Sequence, residues 1–355
     1  MRDHLWEQCR TLFILLLLPV VLTSCSPQAP AEGSARFDAN GTAHIARAVP
    51  VPSTVSPEAQ KWLDSLTHQK YSQQTLAERR ASTDQWRVTD SAEARKRFPV
   101  NVEEKIIAGV RTDIITPLET PEANRNCVLI NLHGGGFNSD SGSLIEGVPI
   151  ANLAKMKVVS VYYRLAPENP FPSAPDDVLA VYKELLKEYK PQNIGIFGTS
   201  AGAILTVEVA AKLKQSDLPL PAALGMFSVL GDFSAPGESA ALFTLNGFPG
   251  TLMPEHTGKH APNEYAPNID QKDPLLSPLY ADLHGMPPSL FVTSTRDILL
   301  SSTSILHRAF LRSDNDAELV VYEALPHAFW YHFQLPETQE CLELIAKFFE
   351  KKLAH

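Results

Sequence analysis

Short apolar runs alternate with helical patterns through most of this chain, and that alternation limits the possible folds more than any other feature. Eight runs of strand-favouring residues lie at 105–107, 110–115, 128–132, 158–161, 194–197, 224–229, 290–293 and 319–322. Helical patterns follow several of the later runs, at 178–189, 201–213, 305–312 and 338–353. Strands that alternate with helices predict an α/β fold with a mainly parallel sheet covered by helices on both faces.

The composition indicates a large folded chain and excludes several classes of function. Of the 355 residues, 44% are hydrophobic, which is enough for a large core. Lys and Arg number 31 against 40 Asp and Glu, a formal net charge of -9, so we expect no basic surface for nucleic acid. The four cysteines lack paired spacing, which predicts neither a disulfide framework nor a zinc site. No ligand pattern indicates a metal or an organic cofactor.

The first 24 residues have the pattern of an export signal. An apolar run at 12–22 follows a polar start, and it is shorter than the ~20 residues that a helix needs to cross a bilayer. The run ends in Leu-Thr-Ser-Cys at 22–25, which resembles the bacterial lipobox. We therefore expect a signal peptide at 1–24, lipidation of Cys25, and a lipid-anchored protein in the bacterial cell envelope. Ordinary cleavage nearby, which would release a soluble periplasmic or secreted protein, is the alternative.

Composition divides the remaining chain into a tether, a core and two covering segments. Residues 25–56 are rich in proline and small polar residues, which indicates a tether. Helices are expected through 62–66 and over 73–86, and because neither has a wide apolar face the segment 57–100 is assigned to a cap. The core covers 101–231 and 287–355. Between its two parts, residues 232–286 contain no clear strand and many prolines, which predicts an inserted lid.

A Gly-x-Ser-x-Gly pattern lies between a predicted strand and a predicted helix. It runs from Gly198 to Gly202 and directly follows the apolar run at 194–197. Small residues in a tight strand-to-helix turn expose a serine oxygen at the edge of a sheet, in front of a helix N-terminus. Ser200 is therefore the candidate nucleophile. A glycine-rich packing turn or phosphate-binding turn is the alternative interpretation.

Three glycines follow the strand predicted at 128–132, between His133 and Phe137. Glycines at the carboxyl end of a buried strand let backbone N–H groups approach a ligand closely. In acyl transfer the carbonyl oxygen gains negative charge, which fixed N–H donors stabilise. We assign the N–H groups of Gly135, Gly136 and Ala201 to an oxyanion hole, and we expect His133 to position the loop.

A serine nucleophile needs a base and an orienting carboxylate. Asp297 is the carboxylate that comes directly after the strand predicted at 290–293. His327 follows the last predicted strand, and His332 is the second choice for the base. The chain order Ser200, Asp297, His327 is the order of the triad in α/β-hydrolases.

With these residues in place, the sequence resembles the hormone-sensitive-lipase-like family of α/β-hydrolases, the bacterial family IV esterases. The resemblance rests on His-Gly-Gly-Gly at 133–136, Tyr-Arg-Leu-Ala-Pro-Glu at 163–168, Phe-Pro at 171–172, Asp-Asp at 176–177, Gly-Thr-Ser-Ala-Gly at 198–202, Asp297, and His-Ala-Phe at 327–329. Thr199, where many members carry Asp, resembles the Gly-Thr-Ser-Ala-Gly subgroup. The family implies an α/β-hydrolase fold with a helical cap, and a carboxylesterase that acts mostly on short-chain acyl esters.

The expected reaction is therefore hydrolysis of short- to medium-chain carboxylic esters, which are small molecules, through an acyl-enzyme. Phe137, Leu245 and Phe248 are candidate walls of the substrate pocket, and packing within the cap explains each of them equally well. A lactonase, an acetyl-hydrolase or an amidase on the same triad is the alternative, and a non-catalytic small-molecule-binding protein is a further one. The sequence leaves the oligomeric state open.

Four charged residues beside the strand predicted at 158–161 have a separate expected role. They are Arg164, Glu168, Asp176 and Asp177. We expect them to form a salt-bridge network that supports the glycine loop, without taking part in the chemistry.

Overall fold

The computed structural model of the chain describes residues 35–72, 74–252 and 264–353. The predicted signal peptide and Cys25 lie outside these residues. The chain divides into two compact units, residues 1–50 and 51–355. In the described part of the first unit, β1 (Ala35–Phe37) pairs antiparallel with β2 (Ala43–Ile45), so part of the predicted tether forms a short hairpin.

Two helices begin the second unit, and side chains at their first turns explain where they start. The first helix, α1 (Pro57–Thr67), is capped by the Ser56 hydroxyl, which accepts a hydrogen bond from Ala59 N. The second, α2 (Leu76–Arg97), starts at a capping box in which Thr75 and Glu78 bond each other's backbone N–H. It is much longer than the predicted 73–86 and ends just before Pro99, which cannot continue a helix.

Eight strands form one sheet in the order β10-β9-β8-β7-β5-β6-β4-β3. The strands are β3 (Val100–Ile107), β4 (Val110–Pro117), β5 (Val128–Leu132), β6 (Lys157–Val161), β7 (Ile194–Thr199), β8 (Ala223–Phe227), β9 (Ser289–Ser294) and β10 (Ala317–Tyr322). Only the pairs β3–β4 and β4–β6 are antiparallel within this sheet. Each of the eight predicted strands is present, and the mainly parallel sheet confirms the predicted fold class.

Helices cover both faces of the sheet. They are α3 (Ser143–Ala154), α4 (Ser173–Leu185), α5 (Ala201–Gln215), α7 (Leu300–Arg312) and α8 (Pro336–Leu353), with the short α6 (Ser239–Leu242) between α5 and α7. The central strand β5 shows the two-sided burial, because Ile130 belongs to an apolar cluster with α4, α5 and α7, whereas Leu129 belongs to a second cluster with α1, α3 and α8. The helix α3 is not predicted by the sequence.

The predicted lid has little regular structure where it is described. Its regular elements there are the four-residue α6 and a 3-10 turn at Pro278–Tyr280. Residues 253–263 of the lid lie outside the described residues. Across the described ranges, no helix is both long and apolar enough to span a membrane. Cys127 and Cys341 are free, buried thiols.

Candidate active site

Ser200 occupies the turn between β7 and α5 in a backbone conformation that few non-glycine residues adopt. Its φ is 57° and its ψ is -119°. Its backbone N–H donates to Phe227 O on the neighbouring strand at 2.8 Å, which holds the turn against the sheet. Strained backbone of this kind persists where the surrounding structure fixes it, and it is concentrated at functional sites.

The two glycines of the motif are there because no side chain fits. A Cβ at either Gly198 or Gly202 would collide with the carbonyl oxygen of Leu132, the last residue of β5. The close approach of β5, β7 and α5 therefore requires glycine on both sides of Ser200. This steric requirement places the serine beside the loop that follows β5.

The glycine loop after β5 also depends on backbone that favours glycine. Gly135 and Gly136 have φ of 109° and 62°, and a Cβ at Gly135 would collide with Ser139 O. Ser139 anchors the loop, because its N–H and hydroxyl both bond Gly135 O, at 3.1 and 3.0 Å.

His133 is buried beneath this loop and does not line the cavity described below. Its ring stacks on Tyr163 with centroids 4.1 Å apart, and the Tyr163 hydroxyl donates to His133 O at 2.7 Å. Its Nδ1 contacts Gly134 O at 2.8 Å and lies 3.7 Å from Asp140 Oδ1. These contacts hold His133 between Tyr163 and the glycine loop.

Asp297 and His327 are joined by a hydrogen bond of 2.8 Å between Asp297 Oδ1 and His327 Nδ1. Asp297 is completely buried, and it also accepts from Thr293 Oγ1 at 2.8 Å, from Leu299 N at 2.9 Å, and from Ser228 Oγ. Burial alone would raise the pKa of Asp297, but the charge and hydrogen bond of His327, with the other donors, outweigh it and lower that pKa. The carboxylate is therefore ionised and fully hydrogen-bonded.

One cavity of about 750 Å³ brings most of the predicted site together. Ser200, His327, Gly135 and Gly136 all line it, and Ala201 follows Ser200 at the first turn of α5. His332 lines the same cavity with its ring 4.1 Å from that of Trp62, whereas His327 is the histidine bonded to Asp297. Burial lowers the pKa of His332 to about 4.

The three predicted pocket residues lie in different surroundings. Leu245 lines the cavity. Phe137 and Phe248 are not among its lining residues: Phe137 is buried and stacks on Tyr265 with centroids 3.5 Å apart, and half-exposed Phe248 lies under the Arg296 guanidinium at 4.8 Å. Phe137 therefore packs among the rings of Tyr163, Phe233 and Tyr265 and is not a wall of the cavity.

A buried carboxylate that the sequence does not indicate lies beside Thr199, the residue before Ser200. Glu146 of α3 accepts from Thr199 Oγ1, the residue before Ser200, and from Asn131 Nδ2 at 2.8 Å. Trp330 Nε1 in turn donates to Thr199 Oγ1 at 3.0 Å. Burial raises the pKa of Glu146 to about 7, although both hydrogen bonds act to lower it. Threonine in the motif is the one sequence signal of this network.

The four charged residues expected to form one salt-bridge network form three separate ion pairs instead. Arg164 pairs with Asp177 at 2.8 Å, and Asp176 pairs with Lys212 of α5. Glu168 pairs instead with Arg80 of α2, at 2.7 Å.

Arg80 also supports the segment that follows the glycine loop. Its Nε donates to Asn138 O at 2.6 Å, and its Nη2 donates to Ala166 O at 2.9 Å. The hydrogen bonds to Arg80 lower the pKa of Glu168 to about 2. The sequence does not indicate this role of Arg80, because an arginine on a polar helix is ordinarily solvated.

The described residues contain no group of three or more His, Cys, Asp or Glu side chains arranged to hold a metal ion. What the arrangement contains instead is a buried aspartate bonded to a histidine, a serine on a strained turn, and a glycine loop around one cavity. Residues 129–331 match the model of a family described as having the alpha/beta hydrolase fold. The chain belongs to this α/β-hydrolase family.

Curated relatives of this α/β-hydrolase carry the names of ester-cleaving enzymes. An esterase of Acinetobacter venetianus is 31% identical over 71% of this chain and 84% of its own length. An acetyl-hydrolase of Streptomyces hygroscopicus is 30% identical over 62% of this chain and 74% of its own length.

Solved structures that are similar to this chain are also of esterases. The crystal structure of esterase E25 is 34% identical, with a TM-score of 0.74 over 86% of this chain and 97% of that one. An esterase from the bacterial hormone-sensitive lipase family is 29% identical, with a TM-score of 0.70 over 84% of this chain and 99% of that one. The predicted fold, family and enzyme class, a carboxylic ester hydrolase, are thereby confirmed.

Proposed function

We propose that the chain is a serine carboxylesterase in which Ser200 is the nucleophile, His327 the general base and Asp297 the residue that orients the base. The observation that carries this assignment is the 2.8 Å hydrogen bond between Asp297 Oδ1 and His327 Nδ1 at the wall of the cavity that Ser200 also lines. Since Nδ1 is bonded to the aspartate, Nε2 is the ring nitrogen that remains to accept a proton.

The reaction proceeds in two steps. Ser200 Oγ attacks the ester carbonyl carbon while His327 Nε2 takes the hydroxyl proton, and that proton then leaves with the departing alcohol. Water attacks the resulting acyl-serine, gives a proton to His327 and releases the carboxylic acid, with the proton returned to Ser200. Ionised Asp297 stabilises the imidazolium formed in each step.

The backbone N–H groups of Gly135, Gly136 and Ala201 are proposed to bind the carbonyl oxygen as it gains negative charge. The two loop glycines line the cavity beside Ser200, and Ala201 N lies at the N-terminus of α5, where the helix dipole favours an anion. Donors of this kind contribute about 3–4 kcal/mol each to lowering the barrier.

The proposed substrates are small-molecule esters with short to medium acyl chains. A cavity of about 750 Å³ is within the usual range of ~300–1,000 Å³ for small-molecule sites. Removal of an acetyl group is the favoured specific reaction, since one of the relatives is named an acetyl-hydrolase.

The experiment that tests the function is hydrolysis of p-nitrophenyl esters from acetyl to lauroyl by the wild type and by Ser200→Ala. We expect the variant to lose a factor of roughly 10^4 or more in kcat, because serine and histidine act as a unit. Ser216→Ala, at an exposed serine that ends α5, is the matched control and should keep wild-type rates. Equal activity of Ser200→Ala and the wild type would refute the mechanism.

We also propose export and lipid anchoring through Cys25. The support is the lipobox-like sequence at 22–25 after the apolar run at 12–22. In cells fed labelled palmitate, the full chain should carry label in the membrane fraction, and Cys25→Ser should lose both label and membrane association. Retention of label by Cys25→Ser would refute lipidation at this residue.

A further inference from the structure

One wall of the catalytic cavity is a polar stripe on α2. Arg79, Ser82, Thr83 and Trp86 all line the cavity. Their spacing of three, one and three residues places them on a single face of the helix. This stripe joins the N-terminal helix to the site that contains Ser200.

The rest of the cavity wall is also rich in hydrogen-bonding groups. Amide side chains line it from three segments: Gln69 and Gln74 in the connection between α1 and α2, Asn138 after the glycine loop, and Asn246 in the predicted lid. Among the described lining residues, Leu245 and Ala328 are the aliphatic ones. An alkyl chain that covered these side chains would leave their hydrogen-bonding groups without partners.

Arg79 has fewer hydrogen-bond partners than its neighbour Arg80. Arg80 is engaged by Asn138 O, Ala166 O and Glu168. Arg79 has a buried Nε for which the described residues supply no hydrogen-bond partner, and its Nη2 lies 4.0 Å from Glu264 Oε2. The Nη groups of Arg79, which the described residues engage only through this long contact, remain as donors for a ligand that enters the cavity.

Aromatic rings complete the wall. The rings of Trp86 and Tyr331 lie with centroids 5.8 Å apart, and both line the cavity. An apolar ring face beside amide, hydroxyl and guanidinium groups suits a ligand that has C–H bonds on one face and hydroxyls around its edge. Sugar rings have this arrangement.

We propose that this cavity binds esters whose alcohol half is polyhydroxylated, such as an acetylated sugar, with the α2 stripe as the subsite for that half. The inference rests on the proposed esterase function. A two-carbon acyl group fills a small part of a cavity of about 750 Å³, so most of the space is left for the alcohol. Arg79 donates to the sugar oxygens, and the Thr83 hydroxyl contributes a second polar contact.

The test compares two acetates of primary alcohols, methyl 6-O-acetyl-glucopyranoside and hexyl acetate. We expect the wild type to have a kcat/KM at least tenfold higher for the sugar acetate. Arg79→Met and Thr83→Val should each reduce that preference, by about tenfold for Arg79→Met, because each removes polar contacts that the sugar alone uses. The change should lie mainly in KM for the sugar acetate.

Matched controls come from the same helix. Arg95→Met and Thr89→Val remove the same groups at exposed positions of α2 that do not line the cavity, and they should keep the wild-type preference. Urea unfolding of all four variants establishes that the helix is intact.

Two outcomes overturn the proposal in different ways. If the wild type favours hexyl acetate, or if both stripe variants keep the wild-type preference, the sugar subsite is wrong, while hydrolysis that is lost in Ser200→Ala upholds the esterase. If no ester is cleaved in a Ser200-dependent manner, the esterase function itself fails.

Discussion

Trp330 Nε1 donates a hydrogen bond to Thr199 Oγ1 at 3.0 Å, and this contact joins the two segments that carry the proposed nucleophile and base. Thr199 immediately precedes Ser200, and Trp330 comes three residues after His327. Thr199 also bonds the buried carboxyl of Glu146. The relative position of Ser200 and His327 therefore depends on side chains that do not line the cavity themselves, such as Trp330 and Glu146.

Trp330→Phe should slow catalysis without weakening substrate binding. The change keeps an aromatic ring but removes the N–H that bonds Thr199, and small displacements of catalytic groups cost up to ~100-fold in rate. We expect kcat on p-nitrophenyl acetate to fall by about 10- to 100-fold with KM within about twofold of the wild type. A rise in KM with kcat unchanged would contradict the positioning role.

Glu146→Gln should remove a pH dependence of stability. The pKa of Glu146 is raised from 4.5 to about 7, so the folded state holds this proton more tightly than the unfolded state. Stability is therefore lost as pH rises from about 4.5 to about 7, by up to ~3 kcal/mol, since one pKa unit corresponds to ~1.4 kcal/mol. Glutamine does not titrate, and its one amide oxygen can still accept from Thr199 Oγ1, whereas its NH2 group cannot accept from Asn131 Nδ2. The loss of that second hydrogen bond is the same at every pH.

The measurement is urea unfolding of the wild type and Glu146→Gln between pH 4.5 and pH 8, a span chosen to cover the raised pKa. As pH rises, the unfolding free energy of Glu146→Gln should increase relative to that of the wild type. Titrating groups that both proteins share contribute equally and therefore cancel in this difference. A difference that stays constant across this range would show that Glu146 does not titrate there.

The sequence predicts the sheet and the residues at its carboxyl edge because these depend on local signals. Each strand is a short apolar run, and Ser200, Asp297 and His327 are polar residues that lie one, three and five residues after the ends of β7, β9 and β10. The helix α3 has no such signal. Most of its twelve residues are buried, so it lacks the polar face that makes an amphipathic helix recognisable, and Pro149 within it argues against a helix.

The cavity wall cannot be predicted from the sequence, because it is formed by polar residues that carry no burial signal. Residues 87–97 of α2 are mostly polar and have no apolar periodicity, so the sequence predicts a helix that ends at 86. A polar stripe such as Arg79, Ser82 and Thr83 ordinarily faces solvent, and only the packing of α2 beside the glycine loop makes it a cavity wall. Contacts between distant segments determine this part of the site.

Asp297→Asn should reduce kcat on p-nitrophenyl acetate by about 10^3- to 10^4-fold. The amide can bond His327 Nδ1 but carries no charge to stabilise the imidazolium, and it favours the wrong tautomer of the ring. Asp314→Asn is the control, because Asp314 is exposed and its φ of 54° suits asparagine, so its rate should match that of the wild type. Equal rates for the two variants would remove Asp297 from the mechanism.

Gly202→Ala should abolish activity and destabilise the fold, whereas Gly285→Ala should do little. A Cβ at Gly202 would collide with Leu132 O, so α5 or β5 must move, at a cost of about 3 kcal/mol. At Gly285 the space is open and the only cost is a φ of +69°, about 1 kcal/mol. Urea unfolding and p-nitrophenyl acetate hydrolysis measure both effects. Equal stability and equal activity of the two variants would refute the explanation that close packing of β5 against α5 requires glycine beside Ser200.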